Sequence, residues 1–360
     1  MKVVITAGGT GGHIFPALAV IDKIKKKEPN TEFLYIGTND RMEKDIIPSY
    51  QIPYLGVDMM GLNRHNPFKN IKVLNTYIKA CHKVKKALLD FKPDVVIGFG
   101  GYITAPVIYT ASKLNIKTII HEQNGIPGVS NKFLSRYADL VLVSFKESIK
   151  YFSKANVIYT GNPRGEQIKE VKKIKKETLG FKSNQPLIII VMGSLGSMTM
   201  TNKLKEIIPS FKNKSYQVLL ITGKNYYEEY HDVKIPNNVK LLPFYKDLIA
   251  IMKDATLMVT RSGASTIAEL TSVLLPSIMV PSPYVTNNHQ YVNAKALTDD
   301  NGAVMLLEKD FSKETLIPLI DSLINDEVKL KEMKNALMAR KVDNSATKIY
   351  EEIKKIVRDE

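Results

Sequence analysis

Val3-Val4-Ile5-Thr6-Ala7-Gly8-Gly9-Thr10-Gly11-Gly12-His13-Ile14-Phe15-Pro16 opens the 360-residue chain with a β-branched run, a turn holding four glycines, and a proline just beyond it. β-Branched residues favour a strand, and clustered glycines let the backbone reverse sharply and approach a ligand closely. Proline suits the first turn of a helix. The stretch therefore predicts strand, tight turn and helix in succession. Amides that open a helix lack an intrahelical acceptor and, with the helix dipole, receive an anion. Phosphate or pyrophosphate is the natural guest. The P-loop needs Gly-Lys-Ser/Thr where this chain has Gly12-His13-Ile14, and a dinucleotide fingerprint begun at Gly9 needs Gly or Ala at Ile14. A turn that holds no ligand remains the alternative.

The same rhythm continues outward. Short apolar runs at 3–6, 32–37, 94–98, 117–121 and 139–144 read as strands in the first half, and 187–192, 216–222, 257–260 and 277–280 in the second. Amphipathic segments at 202–208, 264–272 and 290–297 alternate with them. This alternation, with continuous rather than every-second-residue apolar runs, predicts parallel sheets covered by helices on both faces. The length favours two such domains. The break is expected near Gly161-Asn162-Pro163, followed by a basic, linker-like stretch at 169–176. The tail at 345–357 sets Ile349, Ile353 and Ile356 at helical spacing and needs an apolar surface, expected on the first domain.

Composition narrows the class. One cysteine, Cys81, excludes an internal disulfide framework and Cys-rich metal sites, and points to a reducing, cytoplasmic setting. The N-terminus lacks the apolar stretch of a signal peptide, and the run at 187–192 is far short of a membrane span. The net charge is +15, with 22 Lys/Arg against 12 Asp/Glu in residues 1–163 and 29 against 24 in residues 164–360. Residues 64–92 hold eight basic residues and one acid, Asp90. Within them Ile71, Leu74, Ile78, Cys81, Val84 and Leu88 recur at helical spacing, with Lys69, Lys72, Lys79, Lys83, Lys85 and Lys86 around them and Leu62 and Phe68 before them. Most of the stripe is expected to pack on the first sheet, while the lysines face an anionic membrane at roughly 1 kcal/mol per well-placed basic residue.

Several residues carry candidate chemistry. His13 stands where the glycine turn enters its helix and could act as a general base; a structural histidine is the alternative. His121-Glu122-Gln123-Asn124-Gly125 ends another strand, where polar residues line the ligand crevice of such folds, although His121 could simply satisfy backbone groups. Met192-Gly193-Ser194-Leu195-Gly196-Ser197 forms a second glycine turn, with Ser194 and its neighbouring amides as a second phosphate site. After the strand at 257–260, Arg261-Ser262-Gly263-Ala264-Ser265-Thr266-Ile267-Ala268-Glu269 opens a helix. Glu269 there can hold a ribose diol or complement the helix N-terminus. Asn287, Asn288, His289 and Gln290 offer uncharged groups to sugar hydroxyls, or simply form a solvated loop. No Asp-x-Asp occurs; Glu308-Lys309-Asp310 comes nearest and is discounted as peripheral.

Taken together, Gly8-Gly9-Thr10-Gly11-Gly12-His13, His121-Glu122-Gln123-Asn124, Gly161-Asn162-Pro163, Arg261-Ser262-Gly263-Ala264 and Asn288-His289-Gln290 resemble the MurG family of bacterial N-acetylglucosaminyltransferases over nearly the whole chain. The resemblance implies the α/β GT-B fold, two Rossmann-like doubly wound parallel-sheet domains with an inter-domain cleft. Residues 1–163, with a C-terminal helix at 342–360 packing back, would form the acceptor and membrane-facing domain, and residues 164–341 the UDP-GlcNAc domain. The implied reaction is inverting, metal-independent transfer of N-acetylglucosamine from UDP-GlcNAc to the 4-hydroxyl of MurNAc in lipid I, giving lipid II, without a cofactor. It implies peptidoglycan synthesis, hence roles in cell shape and division, and a peripheral place on the cytoplasmic side of the cell membrane.

By matched motif, Glu269 would hold the ribose, Ser194 the diphosphate, and Ala264, Ser265, Thr266, Ile267 and Ala268 the donor. Gln290 and Asn124 would meet the GlcNAc hydroxyls and Tyr245 the uracil. Thr10, Gly11 and Gly12 would face the acceptor pyrophosphate or the donor, with His13 the candidate base. Expected partners are UDP-GlcNAc, lipid I, an anionic inner-leaflet surface through the basic helix at 69–86, and a cell-wall synthesis complex. The chain departs from the family where Gly-Asn-Pro-Val-Arg becomes Gly161-Asn162-Pro163-Arg164-Gly165, displacing the arginine by one position, and where Met192 and Leu195 replace Gly and Gln. Arg164 stays a candidate phosphate contact. The alternatives are another GT-B enzyme using a UDP-sugar, such as a lipid glycosyltransferase or an epimerase, and a basic membrane or nucleic-acid adaptor. Nucleic acid is not expected as a partner, because RNA-binding aromatic motifs are absent and the chain has no tryptophan.

Overall fold

The computed structural model describes residues 1–61, 70–193 and 196–358 and divides them into two compact units. Unit 1 comprises Met1–Glu166 and Asn344–Glu360, and unit 2 comprises Gln167–Asp343.

Unit 1 is built on seven strands: β1 (Lys2–Thr6), β2 (Glu32–Thr38), β3 (Tyr54–Val57), β4 (Val95–Gly98), β5 (Lys117–Glu122), β6 (Leu140–Val143) and β7 (Val157–Tyr159). Their order is β3-β2-β1-β4-β5-β6-β7, and every pairing is parallel. Parallel neighbours need a crossover, and the helices that make it cover the sheet. Alternate residues of β1 show this directly. Val3 and Ile5 share a core with Ile14, Ile21 and Ile24 of helix α1 (Gly11–Lys27) and with Ile349 and Ile353 of the C-terminal helix Ser345–Arg358. Val4 packs on the other face with Val84 and Leu88 of helix α3 (Asn70–Phe91) and with Val107 and Ile108. Burial of both faces is why the strands read as continuous apolar runs. The short helix α2 (Glu43–Ser49) follows β2.

Unit 2 repeats the plan with β8 (Leu187–Val191), β9 (Gln217–Ile221), β10 (Val239–Leu242), β11 (Leu257–Thr260), β12 (Ser277–Met279) and β13 (Ala303–Met305). The order is β10-β9-β8-β11-β12-β13, again parallel throughout. In each sheet the strand order reverses beside the first strand, at β1/β4 and at β8/β11. Ligands of doubly wound sheets bind outside the carboxyl ends of strands at such a reversal. The stretch at 169–176 belongs to unit 2, where Lys173 pairs with Asp254 and the Ile174 N–H donates to the Ala250 carbonyl.

The basic helix corrects one expectation. Ala80, Val84 and Leu88 pack in the core on the sheet and Val73 is buried, whereas Ile71, Leu74 and Ile78 are 68%, 60% and 46% exposed. At 100° per residue α3 carries two apolar stripes, and the sheet covers only one of them. The exposed stripe lies among exposed Lys72, Lys79, Lys83, Lys85 and Lys86. Arg64 and Lys69, with Leu62 and Phe68, lie outside the described residues.

Candidate active site

In unit 1 the site residues gather where β1, β4, β5 and β7 end. β1 passes into Ala7–Gly8–Gly9, and α1 starts at Gly11 behind Thr10, whose extended backbone (φ −145°, ψ 154°) caps the helix. The Thr10 carbonyl accepts from the His13 and Ile14 amides, 3.1 and 3.2 Å, so the turn is wound tightly onto the first helical turn. Gly9 takes φ +89°, a left-handed backbone that glycine adopts without strain. A Cβ on Gly8 would lie 2.6 Å from Glu43 Oε1, so the missing side chain at that position admits a carboxylate against the turn.

His13 is half-buried, and its Nδ1 lies 2.9 Å from the Gly8 carbonyl oxygen. A carbonyl only accepts, so Nδ1 carries the proton and donates, leaving the lone pair on Nε2. That is the tautomer a general base needs. Arg164 follows β7; its guanidinium lies over the ring of Phe15, 5.8 Å to the centroid, two residues from His13. The displaced arginine thus stands beside the opening turn of α1, held there partly by its own amide donating to Asn162 Oδ1.

His121 and Asn124 part company. His121 is fully buried; its Nε2–H donates to the Gly161 carbonyl at 3.2 Å and its Nδ1 accepts from Gln123 Nε2 at 3.0 Å. Burial pulls it down to about 4, so it is a neutral structural bridge between β5 and the Gly161 turn. Asn124 is half-buried, and its backbone N–H and Nδ2 both donate to Glu122 Oε1, 2.9 and 3.1 Å. Glu122 Oε2 accepts from the Gly128 amide and Asn131 Nδ2 as well, so a buried carboxylate fixes the loop that presents Asn124.

In unit 2, β11 ends at Thr260 and helix Ala264–Val273 begins behind Gly263. Ala264 and Ile267 are buried, while Ser265, Thr266, Ala268 and Glu269 are half-buried on the opening turns. Among the described residues the Ser265 hydroxyl is buried without a hydrogen-bond partner. Helix His289–Asp299 is tied to this loop: Ser262 Oγ donates to the Gln290 carbonyl (2.7 Å) and Asn293 Nδ2 to the Ser262 carbonyl (3.1 Å). Gln290 Oε1 accepts from the Ser282 amide at 2.9 Å. Asn287 and Asn288 both adopt left-handed backbone (φ 54° and 50°), conformations asparagine tolerates. Tyr245, half-buried in the loop after β10, is raised by burial and by Asp247. Ser194 and Leu195 lie outside the described residues; beside them the Gly196 amide donates to the Gly193 carbonyl.

Glu308 is a second correction. Far from peripheral, it is 5% exposed, and Oε2 lies 2.6 Å from Arg261 Nη2, while Arg261 Nη1 donates to the Val280 carbonyl. The pair ties the loop before the Ala264 helix to the segment after β13, and the Val280 bond ties it to the end of β12, long-range contacts that no local pattern around Glu308 announces. Sequence reasoning also missed Glu43, for which the one available signal was its place shortly after a strand end. Among the described residues no group of three His, Cys, Asp or Glu side chains is placed to hold a metal ion, and no helix is long and apolar enough to cross a membrane.

Two glycine-turn α/β units, each a doubly wound parallel sheet, have the architecture of GT-B enzymes, and comparisons with known proteins give the family. Residues 3–143 match the glycosyltransferase family 28 N-terminal domain and residues 187–352 the family 28 C-terminal domain. The chain belongs to glycosyltransferase family 28. It is 42% identical over 363 residues, covering 99% of this chain and all of the relative, to a Bacillus cereus protein named UDP-N-acetylglucosamine–N-acetylmuramyl-(pentapeptide) pyrophosphoryl-undecaprenol N-acetylglucosamine transferase 1. The crystal structure of Acinetobacter baumannii MurG matches with a TM-score of 0.80 at 27% identity, over 98% of this chain and 99% of that one. A putative UDP-N-acetylglucosamine 2-epimerase from Listeria monocytogenes shares the fold, with a TM-score of 0.72 at 14% identity over 98% and 96% of the two chains.

Proposed function

We propose that this enzyme transfers N-acetylglucosamine from UDP-GlcNAc to the 4-hydroxyl of MurNAc in lipid I, with inversion, forming lipid II for peptidoglycan. The observation that carries the reading is the pairing of His13 Nδ1–H with the Gly8 carbonyl at the mouth of α1, which makes Nε2, against Gly100, the basic nitrogen. The acceptor hydroxyl attacks the anomeric carbon as its proton passes to His13 Nε2, and the bond from that carbon to the UDP oxygen breaks with its electrons on the diphosphate. One in-line displacement inverts the centre. The amides of Gly11 and Gly12, with Thr10, suit the acceptor pyrophosphate, and Arg164 adds a cation near them. Ser194, the turns from Ala264 to Ala268, Glu269 and Tyr245 suit the phosphates, ribose and base of the donor, with Gln290 and Asn124 on the GlcNAc hydroxyls.

We further propose that unit 1 meets the cytoplasmic face of the cell membrane through α3. Exposed Ile71, Leu74 and Ile78 among Lys72, Lys79, Lys83, Lys85 and Lys86 present apolar anchors within a basic field, the combination an anionic interface binds.

Purified protein incubated with UDP-GlcNAc and a lipid I analogue should release UDP and yield the disaccharide lipid, and His13→Ala should lower kcat about 10²-fold or more. Conversion of UDP-GlcNAc without acceptor would instead identify an epimerase. Near-normal turnover by His13→Ala would remove its role as base.

A further inference from the structure

Glu43, at the start of α2, is fully buried, and its carboxylate has three hydrogen-bond donors, all of them neutral. Oε1 accepts from the Thr38 amide (3.1 Å) and hydroxyl (2.7 Å), and Oε2 accepts from the Gly9 amide (3.1 Å). Gly9 N–H and the Gly8 carbonyl are the two ends of one peptide group. The Gly8 carbonyl is the acceptor of His13 Nδ1–H. A carboxylate, one peptide and an imidazole therefore stand in line, each hydrogen-bonded to the next. A carboxylate on the N–H end of a peptide pushes electron density onto its carbonyl oxygen, and hydrogen bonds linked through a polarisable group strengthen one another. The carbonyl then holds the imidazole Nδ1–H more firmly and stabilises positive charge on the ring.

We propose that Glu43 is a positioning residue for the transfer reaction, acting on His13 through the Gly8–Gly9 peptide as the carboxylate of a catalytic triad acts directly on its histidine. The effect on catalysis rests on His13 being the base; the effect on the ring does not. The carboxylate end of the relay is buried. Thr38 ends β2 and fixes Oε1, and the absent side chain of Gly8 lets the carboxylate reach the turn. The phenols of Tyr35 and Tyr54 face the carboxylate from β2 and β3, both raised by burial first and by the Glu43 charge second, so they remain neutral beside it. Tyr35 OH donates to the Ala7 carbonyl and Tyr54 OH to the Thr38 carbonyl, which holds the strand ends on either side. Arg41 is bound to the Tyr102 hydroxyl and feels the Glu43 charge only weakly.

The test reads the ring and the rate separately. In wild type, ¹⁵N shifts of the His13 ring should show the Nδ1–H tautomer at neutral pH; a dominant Nε2–H form overturns the relay without any variant. Glu43→Gln removes the charge at nearly constant volume. It should weaken the Nδ1–H preference, move the acid limb of the kcat/KM profile to lower pH, and lower kcat about tenfold, as loss of an orienting partner does. Glu43→Asp keeps the charge and should restore the tautomer and part of the rate, which a purely structural role would not predict. Unchanged tautomer and acid limb in folded Glu43→Gln, or Asp no better than Gln, overturns the proposal. If His13→Ala keeps turnover while the tautomer still follows Glu43, the base assignment fails and the relay stands.

Discussion

His121 makes unit 1 acid-sensitive in a way that can be worked out in advance. In an unfolded chain its imidazole takes up a proton near 6.5, whereas in the fold burial lowers it to about 4. Between those values the unfolded state binds a proton that the folded state refuses, so stability falls as pH falls. The contribution is fully present above about 6.5 and is lost on the way down to about 4. About 2.5 pH units at ~1.4 kcal/mol each gives a loss of roughly 3 kcal/mol, of which about 2.5 kcal/mol has gone by pH 4.5.

The perturbation is His121→Asn, which removes the titrating ring. At pH 7 the variant should be less stable, because the bond to the Gly161 carbonyl and the contact with Phe99, 5.4 Å between ring centroids, are weakened or lost. At pH 4.5 the deficit should shrink by about 2.5 kcal/mol, since only wild type bears the proton penalty. Hydrogen exchange read by mass spectrometry on peptides covering β4 to β6, corrected for intrinsic rates, measures this within one unit and avoids a two-state assumption for a two-unit chain. Glu28, lowered chiefly by its bond from Lys354, and Glu166, lowered by Lys23 and Thr347 against the opposing effect of burial, also lose stability in acid. Both are common to the two proteins and cancel. A deficit that stays the same at pH 7 and pH 4.5 would refute the reasoning.

Arg261→Ala leaves Glu308 as a buried charge without its cation and should destabilise unit 2 by about 3–5 kcal/mol, checked by thermal unfolding; a shift under 1 kcal/mol would show the pair to be dispensable. For Glu269→Ala, calorimetric titration with UDP-GlcNAc should show a donor-binding defect of about tenfold or more, the scale of lost charge-assisted hydrogen bonds, and unchanged affinity would contradict the ribose role. Replacing Ile71, Leu74 and Ile78 together with Ser should release the protein from anionic vesicles in a sedimentation assay while leaving turnover of a short-chain, soluble acceptor analogue unaltered. Equal sedimentation of variant and wild type would rule out α3 as the membrane anchor.

The interior of each sheet was legible in the residues alone. The nine strands readable from their apolar runs are β1, β2, β4, β5, β6, β8, β9, β11 and β12, which lie inside the sheets or carry their strongest β-branched runs. The four that went unread, Tyr54–Val57, Val157–Tyr159, Val239–Leu242 and Ala303–Met305, are the four edge strands. An edge strand has one neighbour and partial cover, so its residues are only partly buried and need not form an apolar run. The glycine turns were equally legible, since a special backbone demands a special residue. Tertiary structure alone decided which stripe of α3 faces the sheet, that Glu308 stands under Arg261, and that Glu43 reaches His13 through a peptide. Each joins residues far apart in the chain by hydrogen bonds or burial, and a carboxylate's sequence neighbours carry no record of the donor that the fold will bring to it.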